Sequence, residues 1–284
     1  MTFDVEEHLP TPTSPYRVGK IVDDFCQFMA ERNGRGSTYV VGTFAEAHPD
    51  AVRQLAAAGH EIGLHNWVHE PIFKIPPERF APEIDKGRKL LQDLSQQPVD
   101  GYRAPYLSLT PAAPWIPDAL AHAGFTYSSS IYPGRAPFYG WPGTPAGAFR
   151  WASGLIELPC PLTSTGPLRL PFLGSVYLRA MPLPIIRWFA RRWPPEAGPL
   201  WTYSHPYDFD ADEPFWRMEP SWVVSRLLWL NRKAMWKRMA SLVGDAVGPT
   251  MAEHAAALAD SDLPVFDPAP TGGERNPRDG HQEK

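Results

Sequence analysis

Short apolar runs alternate with stretches of helical periodicity along this 284-residue chain, and that alternation limits the folds open to it. TFDV (2–5) reads as a strand, and RVGKIVDDFCQFMAER (17–32) then carries Val18, Ile21, Val22, Phe25 and Met29 at helical spacing. STYVVGTF (37–44) is β-branched and aromatic; a helix is expected near 49–58, then the strand EIGL (61–64). A helix over 77–96 leads to VDGYRAP and a helix around 111–123, and FTYSSSI, LIELPC and PLWTYSH read as further strands. Helices between strands act as crossovers, which return the chain to lay the next strand parallel to the last. At this length the expected form is a closed barrel.

In such barrels chemistry gathers at the C-terminal ends of the strands. Asp4, His65, Arg103 and His205 all fall at such ends. The stretch EIGLHNWVHE puts His65 and His69 four apart directly after a strand. Two imidazoles are one or two ligands short of a catalytic zinc-type site, which takes two histidines and a carboxylate and leaves a position for water. A zincin would have its glutamate beside the first histidine, but Asn66 stands there. TFDVEE offers Asp4, Glu6 and Glu7 instead, and on a strand residues 4 and 6 point to the same side. One carboxylate can ligate while the other takes a proton from water. The plainer alternative is a pair of polar loop histidines and a solvated acidic start.

The motifs in order are TFDVEE, HPDAVRQLAAAGHEIGLHNWVHE, GYRAPYLSLT, GFTYSSSIYP, LIELPCPL and YSHPYDFD. Together they resemble the polysaccharide deacetylase (NodB-homology, carbohydrate esterase 4-like) family, and within it bacterial members with a DVE(D/E) opening. The likeness runs over residues 2 to 210, with 211–266 matched only loosely. The resemblance implies an α/β fold, a distorted (β/α) barrel of seven or eight strands, with 1–266 as the catalytic barrel. It implies metal-dependent removal of N-acetyl groups from an amino-sugar polysaccharide or a lipid-linked saccharide. By the same resemblance Asp4 is the base and Arg103 orients it. Glu6, His65 and His69 hold a divalent metal, zinc first, with cobalt, nickel or manganese as alternatives. Pro105 shapes the groove, with Tyr203 also assigned to the substrate, the Tyr106 backbone N–H binds the oxyanion, and His205 is the general acid on the leaving amine. Two departures stand out. Glu6 is one methylene longer than the usual aspartate, with Glu7 a possible substitute, and Ser128 occupies a position where the family often has aspartate. Two other classes stay open: a hydrolase of a non-sugar amide or cyclic ureide, and a non-catalytic carbohydrate-binding descendant.

A net charge of −4 argues against a nucleic-acid surface. Cys26 and Cys160 give no disulfide framework or CxxC pattern. The acidic MTFDVEEHLP is no signal peptide and no run of 18 apolar residues exists, so a cytoplasmic location is expected, although a strand beginning at the first residues puts the true start in question. The 34 prolines are spread out, suiting many short loops, and only 267–284 reads as a disordered tail. His48 and His60 are expected at the surface or at caps. Asp208, Asp210, Asp212 and Glu219 match EF-hand positions, but Glu213 replaces the required glycine, so a solvated acidic loop is expected. In the helix expected over 221–240, Trp222, Trp229 and Trp236 share a face with Arg226, Lys233 and Lys237, while Val223, Leu227, Leu230 and Ala234 lie on another. Such a stripe, like PLPIIRWFARRW (182–193), suits peripheral contact at the inner membrane face, or else a helix buried on two sides. The oligomeric state is not legible.

Overall fold

The computed structural model describes residues 1–8, 17–135, 139–163, 169–217 and 221–268. Nine short strands form one sheet: β1 (Thr2–Val5), β2 (Ser37–Val40), β3 (Glu61–Leu64), β4 (Gly101–Tyr102), β5 (Tyr127–Ser128), β6 (Phe149–Trp151), β7 (Ile156–Glu157), β8 (Tyr203–Ser204) and β9 (Val265–Phe266). Their order is β8-β1-β2-β3-β4-β5-β7-β6-β9, and every pairing is parallel except β6 with β7. The α/β class and parallel sheet follow the sequence reading; the count of seven or eight strands and the full closure do not. The extra strands β6 and β9 are too short to carry a period, and among the described residues no pairing joins β8 to β9.

The register explains where polar groups collect. Phe3 and Val5 enter the core between sheet and helices, where Val18, Ile21, Val22, Phe25 and Met29 meet them from the helix Val18–Ala30. Thr2 and Asp4, on the opposite face of β1, point inward by the period of two. Asp4 pairs in register with Tyr39, and Tyr39 with Gly63. A Cβ at Gly63 would lie 2.7 Å from the Tyr39 ring, and one at Gly101 would overlap the Tyr127 hydroxyl. Glycine on these strands therefore makes room for the two tyrosines that fill the interior, whose hydroxyls lie 2.9 Å apart.

The helices Pro49–Ala57 and Pro77–Ser95 fall where expected, each with proline in its first turn. STYVVGTF is not one strand: the helix Gly42–Ala47 begins inside it. The helix expected from 111 starts only at Ile116, again with proline (Pro117) in the first turn. The tail lies outside the described residues from 269 onward. The helix expected over 221–240 is interrupted: Trp222–Trp229 and Met235–Val243 are separated at Asn231, whose φ of 56° reverses the backbone. Trp222, Trp229 and Trp236 therefore share no continuous face. Trp236 packs on Phe209 and Phe28, while the Trp229 indole donates to the Glu213 carbonyl. Cys26 and Cys160 are both free.

His60 is not a surface residue: it is 1 % exposed, edge-on to Phe25. The Gly36 N–H donates to Nδ1, so the ring is the Nε2–H tautomer, and Nε2 is buried without a partner. Burial holds its pKa down at about 4, below the 6.5 of an ordinary histidine. Below pH 6.5 the unfolded chain takes up a proton that the folded chain refuses, so stability is complete above that pH and lost as pH falls toward 4. The expected contribution is of order 3 kcal/mol. Denaturant titrations at pH 7 and 4.5 should show this loss, and His60→Gln should reduce the difference, leaving the part that comes from the likewise buried His65. Equal pH slopes in both proteins would contradict it.

Candidate active site

The loops leaving β1, β3, β4 and β8 bring together the residues singled out by the sequence. Glu6 follows β1, His65 follows β3, and His69 lies farther along the same loop. The Glu6 Oε2 atom is 2.5 Å from His69 Nε2 and 3.8 Å from His65 Nε2. The three ligand atoms all lie within 4.8 Å of one another. Among the described residues, the buried Glu6 Oε2 has no aligned donor. His65 Nδ1 faces the Arg103 carbonyl at 2.9 Å, an oxygen that can only accept, so Nδ1 carries the proton and Nε2 presents a lone pair. Burial, with His69 nearby, holds the His65 pKa well below its ordinary value, keeping it neutral. Burial pushes the Glu6 carboxyl up, but His69 and then His205 and His65 outweigh it and leave its pKa lowered. Two imidazoles, that of His65 neutral, and an ionised, under-satisfied carboxylate fit a divalent cation. Glu7 is turned away, with His48 Nε2 at 3.2 Å from its Oε1, so Glu6 is the carboxylate that faces the histidines.

Arg103 sits beside this cluster with no exposure at all. Its Nη1 donates to Asp4 Oδ1 at 2.7 Å and to Thr2 Oγ1 at 2.5 Å, and its Nη2 donates to Ser129 Oγ at 3.0 Å. The guanidinium lies 4.0 Å from the Tyr39 ring centroid and 4.4 Å from that of Trp201. With Oδ1 engaged, Asp4 keeps Oδ2 toward the cleft, 3.9 Å from His205 Nε2.

His205 is itself clamped. Its Nδ1 donates to Asp208 Oδ2 at 3.0 Å and its backbone N–H donates to the same oxygen at 2.9 Å. The other Asp208 oxygen pairs with Arg179 at 2.9 Å and accepts from the Ser175 hydroxyl at 3.0 Å. Burial lowers the His205 pKa, but the Asp208 bond, then the charges of Glu6, Asp208 and Asp4, outweigh it and raise it to about 9. Tyr207 stacks on the His205 ring at 4.7 Å, and His8 stacks on Tyr207 at 4.2 Å.

Asp208 is the residue the sequence reading missed. The expected solvated acidic loop holds for the exposed Asp212 but not for its start: Asp208 is fully buried, and Asp210 is buried against Arg17 at 2.5 Å. Glu219 lies outside the described residues. The readable signal was the i, i+3 spacing of HPYD directly after a strand, where an aspartate can reach back to the histidine.

The cleft holds about 390 Å³ and is lined by Asp4, Glu6, His65, His69 and His205 with a wall of tyrosines at 106, 139, 177, 203 and 207. Tyr106 has φ 58° and its ring lies 4.5 Å from His69. Pro105 is buried and does not line the cleft; its neighbours Ala104 and Tyr106 do.

Residues 1–128 match the family described as polysaccharide deacetylase, and residues 129–255 match a domain of unknown function (DUF3473). Over residues 1–128 the chain belongs to the polysaccharide deacetylase family. It is 23% identical over 97 residues to chitin deacetylase 1 of Cryptococcus neoformans, and 27% identical over 78 residues to a peptidoglycan-N-acetylglucosamine deacetylase of Bacillus cereus. Those stretches are 34% and 28% of this chain, and only 19% and 28% of the two relatives. A solved structure of a Mycobacterium smegmatis protein classed as a polysaccharide deacetylase superposes with TM-score 0.60 at 19% identity, covering 88% of this chain and 80% of that one. That likeness carries the distorted barrel fold. The sheet crosses the border between the two family matches, since β5 pairs with both β4 and β7.

Ser128, which stands where polysaccharide deacetylases often have aspartate, is buried and donates to Ser130 Oγ at 2.8 Å. Ser130 Oγ in turn accepts from the Ala104 N–H at 2.9 Å, so this serine braces the loop that carries Tyr106.

The donor set yields a direct expectation. Purified protein reconstituted with zinc should bind one equivalent by elemental analysis; His69→Ala and Glu6→Ala should lose it, and Glu7→Ala should keep it. Full metal in His69→Ala, or loss in Glu7→Ala alone, would contradict the assignment.

Proposed function

We propose that this chain is a metal-dependent N-deacetylase that hydrolyses acetamido groups on an amino-sugar polysaccharide or lipid-linked saccharide, with residues 1–266 acting as one catalytic unit at the cytoplasmic side. The observation that carries the reading is one cleft containing both a cation donor set and, 3.9 Å apart, a carboxylate and a histidine held for proton transfer. Amide hydrolysis needs those parts together: an activated water, a stabilised oxyanion and a proton for the departing nitrogen.

A divalent cation held by Glu6, His65 and His69, zinc in the first instance with cobalt, nickel or manganese as alternatives, supplies Lewis-acid polarisation and a lowered pKa for water. Asp4 accepts the proton of the attacking water at Oδ2, while Arg103 on Oδ1 fixes its orientation. The Tyr106 backbone N–H binds the developing oxyanion. His205, kept protonated at neutral pH by Asp208, delivers the proton from Nε2 to the leaving amine. Tyr203 and the other tyrosines of the wall present flat apolar faces of the kind that sugar rings pack against.

Acetate release from N-acetylglucosamine oligomers tests the reading. Asp4→Asn should retain the metal and lose hydrolysis by about 10²–10⁴-fold. Ring opening of small cyclic ureides without acetate release would favour the other hydrolase class, and sugar binding without turnover by zinc-loaded protein would make the chain a binding descendant.

The pH profile offers a separate check. The acid form of His205 is required, and the bond to Asp208 holds that form to higher pH. Removing the Asp208 charge lowers the His205 pKa, so Asp208→Asn should move the basic limb of the rate profile to lower pH. An unmoved limb would dissociate Asp208 from the acid.

A further inference from the structure

The helix Trp222–Trp229 is apolar and nearly uncovered. Trp222 is 53% exposed, Val223 61%, Val224 49% and Leu227 42%, with Ser225 its buried residue. Sequence periodicity assigned Val223 and Leu227 to a face separate from the tryptophans; in the structure both faces look outward. Phe215 and Leu230 beside it are exposed too, as are Ile185 and Trp188 on the helix Leu183–Ala190. Around the first helix the patch includes Phe215, whose ring meets Trp229 and, like Trp222, lies under the Arg226 guanidinium, and an exposed apolar patch of this kind on a folded chain marks something that covers it.

The two segments form one layer. Arg187 donates to the Ser241 carbonyl and hydroxyl at 2.7 Å, and Arg238 donates to the Leu178 carbonyl at 2.9 Å. Arg179 donates to the carbonyls of Leu228 and Leu230 at 2.8 Å. The charge of this layer is one-sided. Of 27 basic residues, ten fall in 169–195 and 221–244, stretches that contain none of the 31 acidic ones. Arg187, Arg191, Arg192, Arg226, Lys233 and Lys237 are exposed. The rest of the chain has 17 basic residues against those 31 acidic ones.

We propose that this layer docks on an anionic lipid bilayer surface. Tryptophan and aliphatic side chains among lysine and arginine suit the boundary between headgroups and acyl chains, with the cations facing anionic headgroups. A second copy is a poor occupant, because a two-fold interface would set these six exposed cations against the same six. The geometry also places the cleft beside the layer: the helix Ser175–Ala180 supplies Ser175, Val176 and Tyr177 to the cleft wall, and its Arg179 holds the end of the exposed helix. The docking stands independently of the deacetylase reading, since it is measured without substrate.

The test is co-sedimentation of full-length protein with vesicles of phosphatidylcholine alone or mixed with phosphatidylglycerol. Binding is expected on the mixed vesicles, weakened at least about tenfold by ~0.5 M salt. The double change Trp222→Ser with Leu227→Ser should weaken it about tenfold, as should Lys233→Ala with Lys237→Ala. Both variants should keep the wild-type melting curve and zinc content, because none of the four residues lines the cleft. No binding at low salt would overturn the proposal. So would equal binding to both vesicle types, unchanged binding in the variants, or a dimer in light scattering that the variants dissolve.

Discussion

A guanidinium with no contact to water holds this barrel and its site together. Arg103 reaches β1 through Thr2 and Asp4, the end of β5 through Ser129, and the rings of Tyr39 and Trp201 on either side of β1. Its own carbonyl sets the tautomer of His65. A charge so buried is tolerated only when paired and hydrogen-bonded, and stranding one partner costs about 3–5 kcal/mol. The orientation of Asp4, the tautomer of His65 and the contact between these strands thus involve one side chain. The glycines opposite the interior tyrosines give that side chain a place to lie.

A second arginine–carboxylate pair does the corresponding work on the other side of the cleft. Arg179 and Ser175 hold Asp208, which holds His205, which faces Asp4. The two pairs come from different parts of the chain: Asp4, Glu6, His65, His69 and Arg103 lie within residues 1–128, and Arg179, His205 and Asp208 within 129–255. The region matched only as a domain of unknown function therefore completes the cleft that the first region begins, and one sheet runs across their border.

Much of this was legible because parallel strands place their C-terminal neighbours at one end. The period of two put Asp4 and Glu6 on the same side, and the four-residue spacing of His65 and His69 fitted a shared ligand. What stayed hidden depended on tertiary environment. Glu6 and Glu7 differ in role because one points at His69 and the other at His48, a choice made by the bend after β1. Asp208 read as one acid in an acidic run, since its burial comes from Arg179, 29 residues upstream. The break at Asn231 turned a tryptophan stripe into two unrelated faces, and Asn gives little warning of a left-handed turn when it stands inside a helical pattern. His60 precedes its strand as a surface residue would, yet Phe25 packs over it.

The central claim is that Glu6, His65 and His69 hold a catalytic cation over which Asp4 and His205 face each other. Anomalous diffraction at the zinc edge, from crystals of the zinc-reconstituted protein, tests it most directly. The account predicts one strong peak between Glu6 Oε2, His65 Nε2 and His69 Nε2, at ligand distances of about 2.0–2.2 Å. A zinc peak between Glu7 and His48, or none in the cleft at full zinc content, would contradict it.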